Sequence, residues 1–309
     1  RFDQYMYPIF KKSLNEGMDL NFIKEILKCL WLKMNEVVLL RSADSAKYFA
    51  GFPTGYTIIL GGVDKYGEDA TNELSFLVLD TYKDIKLPQP NLGVRVHEKS
   101  NKNFLQKVAE TIKLGTGMPQ LFNDEIIIPG FLNRGVSLED ARNYAVVGCV
   151  ELSIPGKTYG LHDIALFNLL RVFELTLKRN YQNIKSFDEF METFKRNISN
   201  YVAKMVKGAN IVDKAHAKIA PTPLLSAFID GCLEKGIEVS NGGAKYNFSG
   251  VQGIGIANLS DSLYVLKKVV FEEEKLALEE LVNILDNNYE DNEFLRQTFI
   301  NKYAKYGND

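Results

Sequence analysis

The stretch Val147-Gly148-Cys149-Val150-Glu151 places a thiol and a carboxylic acid two residues apart. In an extended backbone alternate residues face the same side, roughly 6.5 to 7 Å apart, so the Cys149 sulfur and the Glu151 carboxylate can address one small molecule together. Gly148 lets the backbone turn closely before the thiol, and Pro155-Gly156 and Gly160 supply bends that fold Asp163 back toward the same pocket. Two carboxylates in one water-poor site do not both ionise cheaply, which favours one as base and the other as proton-holding acid. A thiolate nucleophile wants a cationic neighbour, and Glu151 works against it, so ordinary cysteine hydrolase chemistry is disfavoured. By itself, a lone cysteine closing an apolar strand is more often a packed residue than a reactive one.

The other chemistry-bearing residues are sparser. His97, His162 and His216 are widely separated, and only the pair His162-Asp163 looks like part of a site, with His162 able to orient Asp163; no metal centre is expected. Gly250, Gly253 and Gly255 do not reproduce the dinucleotide fingerprint and read as a structural turn before a helix. Cys29 and Cys232 fall on helical patterns and are expected to pack. Lys245 and Tyr246 suit a structural or a pocket role equally. Three unpaired-looking cysteines point to a reducing cytoplasm rather than a disulfide framework.

Stepping along the chain, apolar residues at Leu20, Ile23, Leu27, Leu30, Met34 and Val37 predict a helix from Asp19 to Val38. Tyr56 to Leu60 then reads as a buried strand, Asp69 to Tyr82 as a helix, Leu92 to His97 as a strand, Asn103 to Leu114 as a helix and Gln120 to Asn123 as a short strand. A break is expected at Pro129-Gly130. Ser137-Leu138-Glu139-Asp140 resembles a capping box, in which a serine oxygen accepts an amide bond and the acid bonds back. Tyr144 to Val150 reads as extended, Asp163 to Arg179 as helix, Ser186 to Lys218 as a long capped helix, and Leu224 to Lys235 as helix resumed after Pro221 and Pro223. A glycine-rich stretch from Ser240 leads into a last helical region. The alternation predicts an α/β fold in which parallel strands return through helices, one incomplete barrel-like domain over 1–309.

With 46% hydrophobic and 25% charged residues over 309 positions, the composition is that of an ordinary globular protein. A net charge of -2 with interleaved signs gives no basic field for nucleic acid, and no apolar run is long enough to span a bilayer. The chain opens at Arg1 without methionine or a leader pattern, so its ends read as artificial.

At Gly148-Cys149-Val150-Glu151 the chain resembles the glycyl radical enzymes, and Asp69-Ala70-Thr71-Asn72-Glu73-Leu74 and Gly242-Gly243-Ala244-Lys245-Tyr246-Asn247 are similar to other recurrent segments of that family. The resemblance implies part of a barrel with parallel strands, surrounding helices and an inward loop carrying the cysteine. It implies that Cys149 is the thiyl site, a role that a neutral thiol serves. The pyruvate formate-lyase branch carries two adjacent cysteines where Gly148 precedes Cys149 here, whereas the run from Ile154-Pro155-Gly156-Lys157-Thr158 to His162-Asp163 looks like the glycerol and propanediol dehydratase branch. By that resemblance Glu151 is the base at a substrate hydroxyl, Asp163 is a ligand of the diol, and Phe52 or Tyr56 lies where the family closes its pocket. If Gly55 holds that position instead, the cavity widens and an arylacetate decarboxylase or other lyase becomes the alternative. A non-catalytic scaffold relative is a further one.

The family's radical glycine lies in an Arg-Val-X-Gly-Tyr motif that these residues lack, since Arg95-Val96-His97-Glu98 has no glycine. The expectation is a catalytic-core piece that binds no cofactor, is silent alone, and lacks both an N-terminal part and the radical domain. The resemblance further implies activation by a separate S-adenosylmethionine iron-sulfur enzyme, a homodimer when complete, and an anaerobic cytoplasm.

Overall fold

The computed structural model describes residues 1–38, 40, 42–48 and 54–307. It divides into two compact units, the first made of 1–159, 224–236 and 244–246, the second of 160–223, 237–243 and 247–309.

The first unit is built on a parallel sheet of three strands in the order β1 (Thr57–Gly61), β2 (Asn91–Val96), β3 (Gln120–Asn123). Thr57 stands opposite Asn91 and Gly93 opposite Gln120. Helix α1 (Leu20–Glu36) precedes the sheet, and α2 (Glu73–Ile85) and α3 (Lys102–Ile112) connect its strands, which is the predicted strand-helix alternation. Strands covered on both faces read as near-continuous apolar runs, and β1 and β2 are buried almost throughout. Their core partners include Trp31, Leu74, Leu79 and Phe104, each buried side chain of this kind contributing about 1.5 to 3 kcal/mol. Trp31 reaches the core from α1 on the face of Ile23 and Leu27, and its indole N–H donates to Thr81 Oγ1 at 3.0 Å. Cys29 is off that stripe and exposed, which corrects the expectation that it packs.

The helix expected from Asp69 starts at Glu73, because Asn72 caps it: its side chain accepts from the amides of Leu74 and Ser75, and Ser75 Oγ accepts from the Asn72 amide. Asp69 is used elsewhere, accepting from Thr71 and from the Asn101 amide. The break expected at Pro129-Gly130 is absent. Helix α4 (Asp124–Leu132) runs through Pro129, which forgoes a single intrahelical bond in a short helix opened by the Asn123 cap. Helix α5 (Leu138–Arg142) begins at Ser137 as predicted, its hydroxyl accepting from the Asp140 amide at 3.2 Å. The Asp140 carboxylate does not bond back. A hairpin follows, β4 (Ala145–Val147) antiparallel to β5 (Glu151–Ser153). The region from Leu224 to Lys235 makes only two short helical turns, Pro223–Ser226 and Cys232–Lys235, since Gly231 between them is left-handed at φ 95°.

In the second unit a short strand β6 (Ala165–Asn168) occupies what the sequence predicts as the first turn of a helix, and α6 (Leu169–Asn180) starts after it. Asn168 ends the strand and caps the helix, accepting from the Arg171 amide at 2.9 Å. The long helix α7 (Phe187–Ile219) is capped by Ser186 as predicted. Strand β7 (Val251–Ile254) pairs in parallel with β6, Ala165 opposite Val251, and α8 (Ile256–Leu266) follows. Phe173, Leu177, Phe190, Phe194 and Leu266 form this unit's core.

Candidate active site at the Cys149 turn

Extended structure stops at Val147. Gly148 is left-handed at φ 61°, and Val147 pairs with Glu151 across the hairpin, so Gly148, Cys149 and Val150 form the reversal. The thiol and the acid are therefore not two positions on one strand face, which corrects the extended reading. Glu151 is linked to Cys149 through the backbone instead. The Glu151 side chain folds back over the turn, and its Oε2 accepts from the Cys149 amide at 2.8 Å and the Val150 amide at 2.9 Å. A carboxylate accepting two amides is held more firmly than a neutral acceptor would be. A Cβ at Gly148 would stand 3.0 Å from that oxygen, so the glycine supplies both the backbone conformation and the room the carboxylate occupies. Cys149 is exposed at the tip, between Val147 and Val150, which are 48% and 46% exposed.

The turn is anchored at its first carbonyl. Gly148 O accepts from Thr57 Oγ1 and from Asn91 Nδ2, the latter at 3.0 Å, and these two donors are register partners opening β1 and β2. Gly55, left-handed at φ 75°, passes beside it: a Cβ there would lie 3.5 Å from Gly148 Cα, so a side chain at 55 would first meet the turn's own backbone. The Tyr56 amide donates to Gln89 Oε1 at 3.3 Å and its carbonyl accepts from the Asn91 amide at 2.7 Å, while the ring is half exposed. Phe52 lies outside the described residues.

The hairpin is rooted in buried charge. Arg95, fully buried within β2, makes a two-pronged pair with Asp124, both bonds at 2.8 Å, and donates to the carbonyls of Arg142 and Tyr144 at 2.9 and 3.0 Å. Its guanidinium lies 3.8 Å from the Tyr144 ring centroid, and the Tyr144 hydroxyl donates to Asp124 Oδ1 at 2.7 Å. A buried charge persists only when it is paired and its donors find acceptors, and here Asp124 and two carbonyls take four of the guanidinium's N–H bonds. Burial, aided by Asp124, pushes the Tyr144 hydroxyl well above the usual phenol range. Tyr144 precedes β4 directly, so this network fixes where the hairpin leaves the core. The sequence reading missed it, although an arginine inside the apolar run of β2 is a legible demand for a buried acid.

Asp140, also buried, accepts from Lys157 Nζ at 2.5 Å, Lys245 Nζ at 2.8 Å and Tyr246 Oη at 2.8 Å. Burial raises its pKa, but these donors outweigh burial and hold the carboxyl well below the usual range. Of the two roles left open for Lys245 and Tyr246, this is the structural one: they tie the glycine-rich segment to α5.

His162 and Asp163 belong to the second unit. Gln252 Nε2 donates to Asp163 Oδ1, and the backbone around His162 pairs with Gly250, whose amide donates to Leu161 O at 3.0 Å and whose carbonyl accepts from the Ile164 amide at 3.2 Å. The approach is close enough that a Cβ at Gly250 would come 2.3 Å from His162 O, and one at Gly160 would overlap Phe248 O at 1.2 Å. These glycines are conformational necessities, and Gln252 is the Asp163 partner that sequence spacing did not reveal. His97 is buried with Nε2 3.3 Å from Asp69 Oδ1, and His216 is exposed on α7. Cys232 is buried, as expected of a packing residue. Among the described residues no three His, Cys, Asp or Glu side chains converge as metal ligands would. No helix of the described residues is long and apolar enough to cross a membrane.

The chain belongs to the pyruvate formate lyase-like family, whose model matches residues 1–309. It is similar in structure to the glycerol-bound B12-independent glycerol dehydratase from Clostridium butyricum, with a TM-score of 0.87 and 42% identity over all of this chain and 40% of that one. It is also similar to the protein of 1,2-propanediol dehydration in Roseburia inulinivorans, with a TM-score of 0.86 and 41% identity over 100% of this chain and 41% of that one. The trans-4-hydroxy-L-proline dehydratase of Clostridioides difficile is 32% identical over 100% of this chain and 41% of its own length. The chain thus spans about 40% of the length of the proteins it matches.

Proposed function

We propose that the whole protein is a glycyl radical lyase that dehydrates a vicinal diol of the glycerol or propane-1,2-diol kind. The observation that supports the reading is the turn itself, in which the Glu151 carboxylate accepts from the backbone amide of the residue that bears the thiol. The higher identity to the glycerol and propanediol proteins than to the hydroxyproline enzyme supports this substrate class.

A glycyl radical on a segment beyond these residues would supply the unpaired electron that makes Cys149 a thiyl. Cys149 then removes a hydrogen atom from a hydroxyl-bearing carbon and becomes a thiol, while Glu151 takes that hydroxyl's proton. The resulting ketyl radical breaks the adjacent carbon–oxygen bond, and the departing hydroxide collects one proton from the site and leaves as water, matching the proton that Glu151 received. The Cys149 thiol returns its hydrogen atom to the product radical. The net change is diol to aldehyde plus water, with the thiyl regenerated. Asp163 serves as a diol ligand, with His162 orienting it, and Tyr56 walls the pocket. In this reading the parallel strands form part of a barrel around the cysteine turn. The complete protein is a homodimer in an anaerobic cytoplasm, activated by a separate S-adenosylmethionine iron-sulfur enzyme.

The test is Glu151→Gln in the complete, activated protein. General base catalysis contributes about 100-fold or more, so kcat for diol dehydration should fall at least that far while the glycyl radical signal stays at its normal level. Unimpaired dehydration with a normal radical signal would remove Glu151 from this role.

A further inference from the structure

One peptide plane is held at both ends. The carbonyl of Gly148 takes one bond from Thr57 Oγ1 and one from Asn91 Nδ2, filling both of its lone pairs, and the amide at the other end of the same peptide, that of Cys149, donates to Glu151. The Thr57 hydroxyl also lies 3.3 Å from Gly55 O, but it has one proton and Gly148 O is nearer. Fixing that plane fixes Cys149 Cα, and with it the reach of the sulfur. Both donors open their strands, where the sheet's ladder holds them: the Asn91 amide donates to Tyr56 O at 2.7 Å, and Thr57 and Asn91 stand in register.

The two ends respond differently to the proposed reaction. When Glu151 takes up a proton it loses its charge, and its bonds to the Cys149 and Val150 amides drop from charge-assisted to neutral strength, about half as strong. The carbonyl end carries no titrating group and does not change.

We propose that Thr57 and Asn91 are positioning residues that hold the Gly148–Cys149 peptide, and so the Cys149 sulfur, in place while Glu151 is protonated, until the thiol has returned its hydrogen atom. This rests on the reading of Cys149 and Glu151 given above. A displacement of the reacting atoms by about 1 Å costs on the order of 100-fold in rate. The clamp acts on the sulfur and not on substrate binding, so its loss should fall on kcat.

The experiment uses the complete, activated protein with Thr57→Val, Thr57→Ser, Asn91→Ala and Thr57→Val/Asn91→Ala, alongside Cys149→Ala. Turnover of glycerol and of propane-1,2-diol is measured together with the glycyl radical signal before and during turnover. The expected result is kcat lowered about 10- to 100-fold in the double variant, with KM within about threefold. Its radical signal should be normal at the start and lost faster than in the unaltered protein once substrate is added, and Thr57→Ser, which keeps the donor, should restore most of kcat. A double variant with unchanged kcat and radical lifetime overturns the clamp, as does a loss that Thr57→Ser shares with Thr57→Val. Activity surviving in Cys149→Ala overturns instead the assignment of the thiyl, so the two failures are distinguishable.

Discussion

At the scale of single residues, the acids divide by what surrounds them. Glu151 sits at an exposed turn with two amides on one oxygen, whereas Asp140 is buried with two ammonium groups and a phenol. The second arrangement makes a prediction about pH. A carboxyl whose folded pKa lies below its unfolded value, near 3.9, stabilises the fold fully above that value and loses its contribution as pH falls toward the folded pKa. Asp140→Asn should therefore lower stability at neutral pH by about 2 to 3 kcal/mol, the worth of hydrogen bonds to a charged group. It should also flatten the decline of stability below about pH 4. Urea unfolding midpoints measured from pH 7 to pH 3 check both, and an unchanged acid limb in the variant would show that Asp140 does not govern it. The Ser137 cap on the Asp140 amide was legible, but the carboxylate does not close the expected capping box. Its partners were not legible, because Lys157, Lys245 and Tyr246 are brought to it by the fold and not by local sequence.

At the scale of elements, the sequence displayed what is local and concealed what is paired at a distance. The alternation around β1, β2 and β3 is readable because buried parallel strands carry continuous apolar runs and their connecting helices carry a helical period. Strand β6 was hidden: Ala165–Asn168 shares its apolar character with the helix after it, and only its pairing with the distant Val251–Ile254 makes it a strand. The Cys149 turn was half legible. Gly148 signalled the bend, but the pleat assumed between Cys149 and Glu151 is replaced by a reversal whose register depends on β5. This dependence on one glycine is testable. Gly148→Ala places a methyl at a left-handed backbone, costing about 1 to 2 kcal/mol, and crowds Glu151 Oε2 at 3.0 Å. The carboxylate is the movable partner, so it should swing off the Cys149 amide. The expected outcome in the complete protein is a loss of stability of this modest size with a far larger loss of dehydration, read from denaturation and turnover on the same preparation. A proportionate, small loss of both would mean that the clasp between Glu151 and the turn does not matter for the chemistry.

At the scale of the whole molecule, two separate apolar cores hold the residues of the candidate site. The Trp31 and Phe104 core supports the sheet to which the Cys149 turn is anchored through Thr57 and Asn91, and the Phe173 and Phe190 core supports the segment of Asp163. The thiyl role proposed for Cys149 needs a partner radical to take the hydrogen atom from its thiol. An S–H bond is opened homolytically only by a partner radical that forms a bond of similar strength, and residues 1–309 contain no Arg-Val-X-Gly-Tyr segment to carry one. The 309-residue polypeptide expressed alone should be folded and should unfold in denaturant with a transition for each of its two cores. Even after anaerobic treatment with the activating enzyme and S-adenosylmethionine, it should show neither a glycyl radical resonance nor turnover of glycerol or propane-1,2-diol. The protein extended to the full length of its relatives should show both. Turnover from the short polypeptide would place the radical source within these residues and overturn the division of labour argued here, and a folded full-length protein that carries the radical yet dehydrates neither diol would leave the family standing and remove the substrate class.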